Sequence, residues 1–218
     1  MVILRQYHSS LVTDHLFSAG EGVCVICLYC DYRDQEKEDP ANMIGAILKQ
    51  ALVAMPEIPD DVLQDIRRKR QSRKPLGLEN SLEILARVLR SFQKTYICID
   101  ALDECNGRHR RCFLESLGKI SKGVCQSVYI FVTGRPHVGE DIHQYLASKS
   151  ITIQLEASGE DIAKYIAHEI QNDDNDVTMD DDFKKEIAAK IVSTSQGMFV
   201  HQDFPSRDNT CCIHINQC

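Results

Sequence analysis

The sequence predicts an α/β fold, a parallel sheet covered by helices, with a small helical annex after it. Three observations carry the prediction. Four short runs, Val23 to Tyr29, Tyr96 to Asp100, Val128 to Thr133 and Ile151 to Leu155, are rich in β-branched or aromatic residues and read as buried strands. The segments between them repeat apolar residues at helical spacing, and such alternation is the pattern of a parallel sheet with helical crossovers. After Leu155 only helical patterning remains.

In chain order, Ser10 to Phe17 reads as a short helix. Val23 to Tyr29 follows, within the run VCVICLYC, as a strand buried on both faces. Asp31 to Pro40 is a charged surface connection. Ala41 to Ala54 sets Ile44, Ile47, Leu48 and Ala51 on one helical face, and Leu78 to Phe92 repeats this with Leu82, Leu85, Val88 and Leu89. Met55 to Pro75 between them is a charged connection with a short helix. His109 to Ile120 presents Phe113, Leu114, Leu117 and Ile120 to the core. In the annex, one helix opens at Gly159-Glu160-Asp161 and runs through Ile170. An acidic loop, Asn172 to Asp176, precedes a second from Asp181 to Ser193 with Gly197 as its stop. Residues 201–218 have no periodicity and read as a disordered tail.

Composition narrows the function. A net charge of −7 over 218 residues argues against a dedicated nucleic-acid binder, and the basic run Arg67 to Arg70 reads as a solvated helix end. No apolar run approaches the roughly 18 residues needed to span a membrane, so a cytoplasmic protein is expected. The ten cysteines include Cys24, Cys27 and Cys30 in a CxxCxxC spacing. On a strand of period two, Cys24 and Cys30 share a face and Cys27 points the other way, which suits buried reduced thiols better than one shared metal ion. No HExxH pair and no GxSxG elbow is present, so zinc hydrolysis and serine hydrolysis have no support.

The segment YICIDALDEC concentrates the chemistry. Asp100 closes a buried strand, and Asp103 and Glu104 follow at once. Ligands of parallel α/β sheets sit at the carboxyl ends of the strands, where an acid can hold magnesium beside a nucleotide phosphate. This is a Walker B pattern. At the end of the next strand, in FVTGRP, Arg135 projects from the same edge. Two readings stand for it: bidentate recognition of a terminal phosphate, or a salt bridge to Asp103 or Glu104.

The order of YICIDALDEC, a helix, FVTGRP, a strand and then EDIAKYIAHEI resembles the NACHT/STAND P-loop NTPases. It is most similar to the nephrocystin-like N-terminal module of many fungal ankyrin- or WD-repeat proteins. LVTDHLF followed by VCVICLYCDYRDQ resembles the first helix and second strand of that module, so the likeness runs from about Leu11 to Val200. It implies a three-layer parallel sheet of P-loop NTPase type and a nucleotide-driven switch coupled to oligomerisation, with Mg2+ and ATP or GTP as cofactors. By position, Asp100 is similar to the magnesium aspartate, Asp103 and Glu104 to the acids that orient or activate the attacking water, and Arg135 to the sensor arginine facing the γ-phosphate.

One departure is large. The family's GxxxxGK[ST] loop belongs just before His8-Ser9-Ser10-Leu11, where this sequence has MVILRQY; no glycine precedes Gly20 and no lysine precedes Lys37. The resemblance therefore implies a module lacking its first strand and phosphate loop, with Val2 to Leu4 the one candidate replacement. Both ends read as limits of a gene model or of a degenerate copy. An inner strand's loss would leave open edges in the sheet. The expected organisation is a partial NTPase core over 1–156, a helical lid over 157–200 and the tail. Nucleotide binding is expected to be weak or absent, and hydrolysis inefficient. Expected protein partners come through self-association or a fused repeat domain in longer relatives, with no nucleic acid and no membrane. The alternative is a non-enzymatic pseudo-NTPase that serves as a protein-interaction module.

Overall fold

The computed structural model describes residues 12–17, 20, 22–34, 38–71, 76–124, 127–146, 150–155, 159–171, 180–198 and 211–217. Val2 to Leu4 and the acidic loop Asn172 to Asp176 lie outside these residues. Two compact units are present, one within Met1–Gln154 together with Cys211–Cys218, the other within Leu155–Thr210.

The first unit carries the sheet. Residues 12–17 are helical (α1) and lead to strand β1, Val23–Tyr29. Helix α2, Pro40–Val53, starts where sequence chemistry starts it: Pro40 occupies the first turn, and the Asp39 side chain accepts the Asn42 N–H at 2.9 Å. Its buried stripe is Met43, Ile44, Ile47, Leu48 and Ala51. Helix α3, Asp60–Gln71, fills the stretch expected to be mostly connection and contributes the buried Val62. Helix α4 spans Leu78–Leu89, and Arg87 on it pairs with Asp65 and, at 3.1 Å, with Asp61 of α3.

Strand β2, Lys94–Asp100, lies parallel to β1, with Cys27 opposite Cys98 and Tyr29 opposite Asp100. Helix α5, Gly107–Gly123, is capped by Asn106, whose side chain accepts the Arg108 N–H at 3.0 Å. Strand β3, Ser127–Gly134, pairs parallel to β2. Helix α6, Gly139–Leu146, absent from the sequence reading, packs on α5 through Ile142 and Leu146, with an Arg110–Asp141 ion pair at 2.8 Å. Strand β4 spans Ser150–Leu155.

Two expectations are corrected. Residues Cys211–Gln217, read as part of a disordered tail, form strand β5, antiparallel to β3 and placed between β3 and β4 in the order β1-β2-β3-β5-β4. A strand on a waiting edge draws its hydrogen bonds from its neighbour, so it needs no periodic pattern of its own. The open inner edges expected from a missing strand are also not found among the described strands: β2 pairs with both β1 and β3, and β3 with both β2 and β5. The outer edge of β1 is partly covered, because the Gln50 side chain accepts the Cys27 N–H at 3.0 Å and donates to the Cys27 carbonyl at 2.8 Å.

The sheet's two faces differ. Cys24, Ile26, Ile97, Ile99, Val128, Ile130 and Val132 join the core under α2, α4 and α5. The opposite face carries Cys27 and Tyr29, the latter 56% exposed, so the buried residues of β1, Cys24 and Ile26, lie on one face, not on both. Tyr96 and Tyr129 stack there with centroids 5.0 Å apart.

The second unit contains helices α7, Gly159–Gln171, and α8, Asp181–Met198, which pack on each other. Helix α8 runs through Gly197 instead of stopping before it. No helix among the described residues is long and apolar enough to cross a membrane.

Candidate functional site

Asp100 ends β2 with only 6% of its surface exposed. The next residue, Ala101, takes the left-handed conformation (φ 55°, ψ 44°), rare outside glycine and costly by about 1 kcal/mol. That kink turns the chain into a single 3-10 turn, Leu102–Glu104, closed by the Glu104 N–H donating to the Ala101 carbonyl at 2.9 Å. Leu102 anchors the turn in the core, fully buried. Asp103 and Glu104 are thereby presented at the strand tip beside Asp100.

One hydroxyl ties the two strand tips together. Thr133, near the end of β3, accepts the Ala101 N–H at 3.0 Å and donates to the Asp100 carboxylate at 2.5 Å. It is 1% exposed, so both bonds lie in a dry environment where an unmade bond is costly. In the sequence, the only signal for Thr133 is a hydroxyl residue two positions before Arg135.

Gly134 follows, and its reason is space. A Cβ there would stand 2.9 Å from Val138 Cγ2 and 3.6 Å from the Asp103 amide nitrogen and from Asp103 Oδ1. The close approach brings Arg135 to the acidic turn: its Nε lies 3.2 Å from Asp103 Oδ2, with the Asp103 side chain 3% and the Arg135 side chain 38% exposed. Arg135 makes a salt bridge in this structure, and Asp103 is the partner. The distance fits an ion pair, yet the buried Nε makes no hydrogen bond of acceptable angle. The pairing is therefore Coulombic, its N–H poorly aimed.

Glu104 turns elsewhere and accepts the Tyr32 N–H at 3.2 Å. Beside it lies Glu38, which nothing in the sequence separates from the other acids of DYRDQEKEDP. One Glu38 oxygen accepts the Asp31 N–H at 2.7 Å, and the other is buried without a hydrogen-bond partner. Burial, then the charges of Asp31, Asp34 and Glu104, hold its carboxyl above the usual range against that one favourable bond. The neighbouring Cys30 thiol is pushed far up by burial and then by Glu38, and Cys105 to about 11 for the same two reasons.

The turn and the two strand tips thus bring Asp100, Asp103 and Arg135 to one edge of the sheet, with Glu104 on the flank facing Tyr32. Among the described residues no three His, Cys, Asp or Glu side chains are grouped to hold a metal ion by themselves. Magnesium carried by a nucleotide asks for less, one or two carboxylates with phosphate oxygens completing its shell. Asp100, which lines a shallow pocket with Thr13, Tyr29 and Phe131, is one such carboxylate at the strand tip.

The family model described as nephrocystin 3, N-terminal, matches residues 6–135, more than half of the chain, and its last matched residue is Arg135 itself. This chain belongs to the nephrocystin 3 N-terminal family. The nephrocystin-type match takes in β1, β2, β3, the acidic turn and the arginine that pairs with it, and leaves α6, β4 and the helical unit outside. No curated protein and no solved structure matches the chain.

Proposed function

We propose that this chain is a NACHT/STAND-type nucleotide-binding signalling module of the P-loop NTPase kind. Asp100 serves the magnesium ion of a bound ATP or GTP, Asp103 and Glu104 the attacking water, and Arg135 the terminal phosphate. The observation that carries the reading is the shared carboxyl edge of β2 and β3. It joins Asp100, through the Thr133 hydroxyl, to the strand whose end delivers Arg135. Magnesium would neutralise phosphate charge and draw the nucleotide to that edge.

The same geometry argues for a resting state. Arg135 already has a buried anion, so a terminal phosphate must compete with Asp103 for the guanidinium, and releasing Arg135 frees Asp103 for its own role. The 218 residues contain no GxxxxGK[ST], so they lack the backbone cradle and lysine that position phosphates in such sites. Turnover by this chain alone is therefore expected to be inefficient.

Calorimetric titration with Mg-ATP and Mg-GTP tests the reading. The chain itself should bind only weakly. A variant with a glycine-rich loop ending in Lys-Ser placed before His8 should bind, and Asp100→Asn in that variant should weaken the magnesium-dependent part. No binding by a folded loop-bearing variant, or binding there that Asp100→Asn leaves untouched, would overturn it; micromolar binding by the unaltered chain would overturn the expectation of weak binding.

A second reading, a non-enzymatic interaction module, is favoured by the Arg135–Asp103 pair, which already occupies the guanidinium that a terminal phosphate would need. It expects Asp100→Asn and Arg135→Ala to leave self-association unchanged whether or not nucleotide is added.

A further inference from the structure

Two thiols face each other one step below the acidic tip. Cys27 of β1 and Cys98 of β2 are direct partners in the parallel register, two pairs before Tyr29 and Asp100 and so on the same face. Partners in register share a sheet face, and neither residue belongs to the core cluster on the other face. Both are free thiols, Cys98 buried and Cys27 half-buried, and both line the shallow pocket beside Asp100. The neighbouring Cys98 side chain favours the Cys27 thiolate against burial, while Cys27 and burial together hold the Cys98 thiol up.

Cys24, Cys30, Cys105 and Cys112 lack this combination. Cys24 sits in the core, where burial pushes its thiol up to about 11. Cys30 and Cys105 are buried beside Glu38 and likewise pushed up. Cys112 is half-buried on α5, with no cysteine partner in a neighbouring strand.

We propose that Cys27 and Cys98 form a dithiol site that reacts with small-molecule disulfides, with glutathione disulfide as the reference substrate, and closes to a bridge between β1 and β2. Neighbouring strands lie about 4.8 Å apart, inside the roughly 4.4–6.8 Å that a disulfide spans between Cα atoms. The Gln50 amide holds both backbone polar groups of Cys27 on the open edge of β1, which keeps the pair in register.

The chemistry balances as two exchanges. The Cys27 thiolate attacks one sulfur of glutathione disulfide, the S–S bond breaks, and one glutathione leaves as thiolate to take up the proton that Cys27 lost. Cys98 then loses its proton and attacks the Cys27 sulfur of the mixed disulfide. The Cys27–Cys98 bond forms and the second glutathione leaves and is protonated. Two protein thiols are oxidised by two electrons, and one glutathione disulfide is reduced to two glutathiones.

The test uses the full chain in glutathione buffers of graded oxidation, quenched in acid, alkylated and mapped by mass spectrometry. In the unaltered protein, peptides carrying Cys27 and Cys98 should appear joined, with the loss of two hydrogens, at a lower proportion of oxidised glutathione than modifies Cys112. Cys98→Ser should stop at one glutathione on Cys27, and Cys27→Ser should leave Cys98 unmodified. Alkylation of both Cys27 and Cys98 under conditions that already modify Cys112, or a bridge joining Cys27 to a different cysteine, overturns the proposal. The unaltered protein alone decides this, so a serine variant that failed to fold would not rescue the idea.

Discussion

Arg135 reaches across from the end of β3 to the turn after β2, where its Nε stands 3.2 Å from a carboxylate oxygen of Asp103 that is almost wholly out of water. A buried anion deprived of its cation costs more than an exposed pair gains. Arg135→Ala is therefore expected to lower stability by about 1–3 kcal/mol. Asp103→Asn in the same background should recover part of the loss, because it removes the buried charge that Arg135 offsets. Urea titration of the single and double variants measures both, and additive losses would show that the two residues are not coupled.

Thr133 offers a separate test of the strand-tip bridge. Thr133→Val keeps the shape but removes the hydroxyl, taking from the Ala101 N–H its acceptor and from Asp100 the Thr133 donor. The expected cost is about 1–3 kcal/mol. Thr133→Ser should stay near the unaltered protein. If valine and serine proved equally tolerated in denaturant unfolding, the bridge would contribute nothing measurable.

Gly118 marks the closest approach between α5 and the chain end of α6. A Cβ at this position would lie 2.5 Å from the Tyr145 carbonyl oxygen, a backbone atom with no rotamer to swing away. Gly118→Ala should separate the helices and cost about 1–3 kcal/mol despite alanine's better helix propensity. A thermal midpoint equal to or above that of the unaltered protein would contradict this packing.

Glu38 makes a prediction in pH. Its carboxyl is raised in the folded chain, burial being the first cause, so as pH climbs the unfolded chain releases this proton first. The native state then holds more protons than the unfolded state, and stability falls with rising pH through that window. Glu38→Gln keeps an acceptor for the Asp31 N–H and removes the ionisation. The variant should melt higher than the unaltered protein near neutral pH, with the advantage vanishing below about pH 4. Calorimetric melting across that range checks it; a constant difference at every pH would assign the effect to packing.

Local chemistry by itself determined much of this protein. Strands β1 to β4 were legible because short β-branched and aromatic runs suit a buried pleat. Helices α2, α4 and α5 were legible because their apolar residues recur on one face. The acidic turn and Arg135 stood out because charge at the end of an apolar run has few structural uses. What remained illegible depends on neighbours distant in sequence. Strand β5 exists through the edge that β3 offers, and α6 is too short for its two apolar anchors to be distinctive. That Arg135 pairs with Asp103 while Glu104 turns to Tyr32 follows from the left-handed kink at Ala101 and the bare backbone at Gly134. The meeting of Cys27 with Cys98 is set by strand register. Register is a relation between two segments, decided when the sheet closes, so neither segment records it alone.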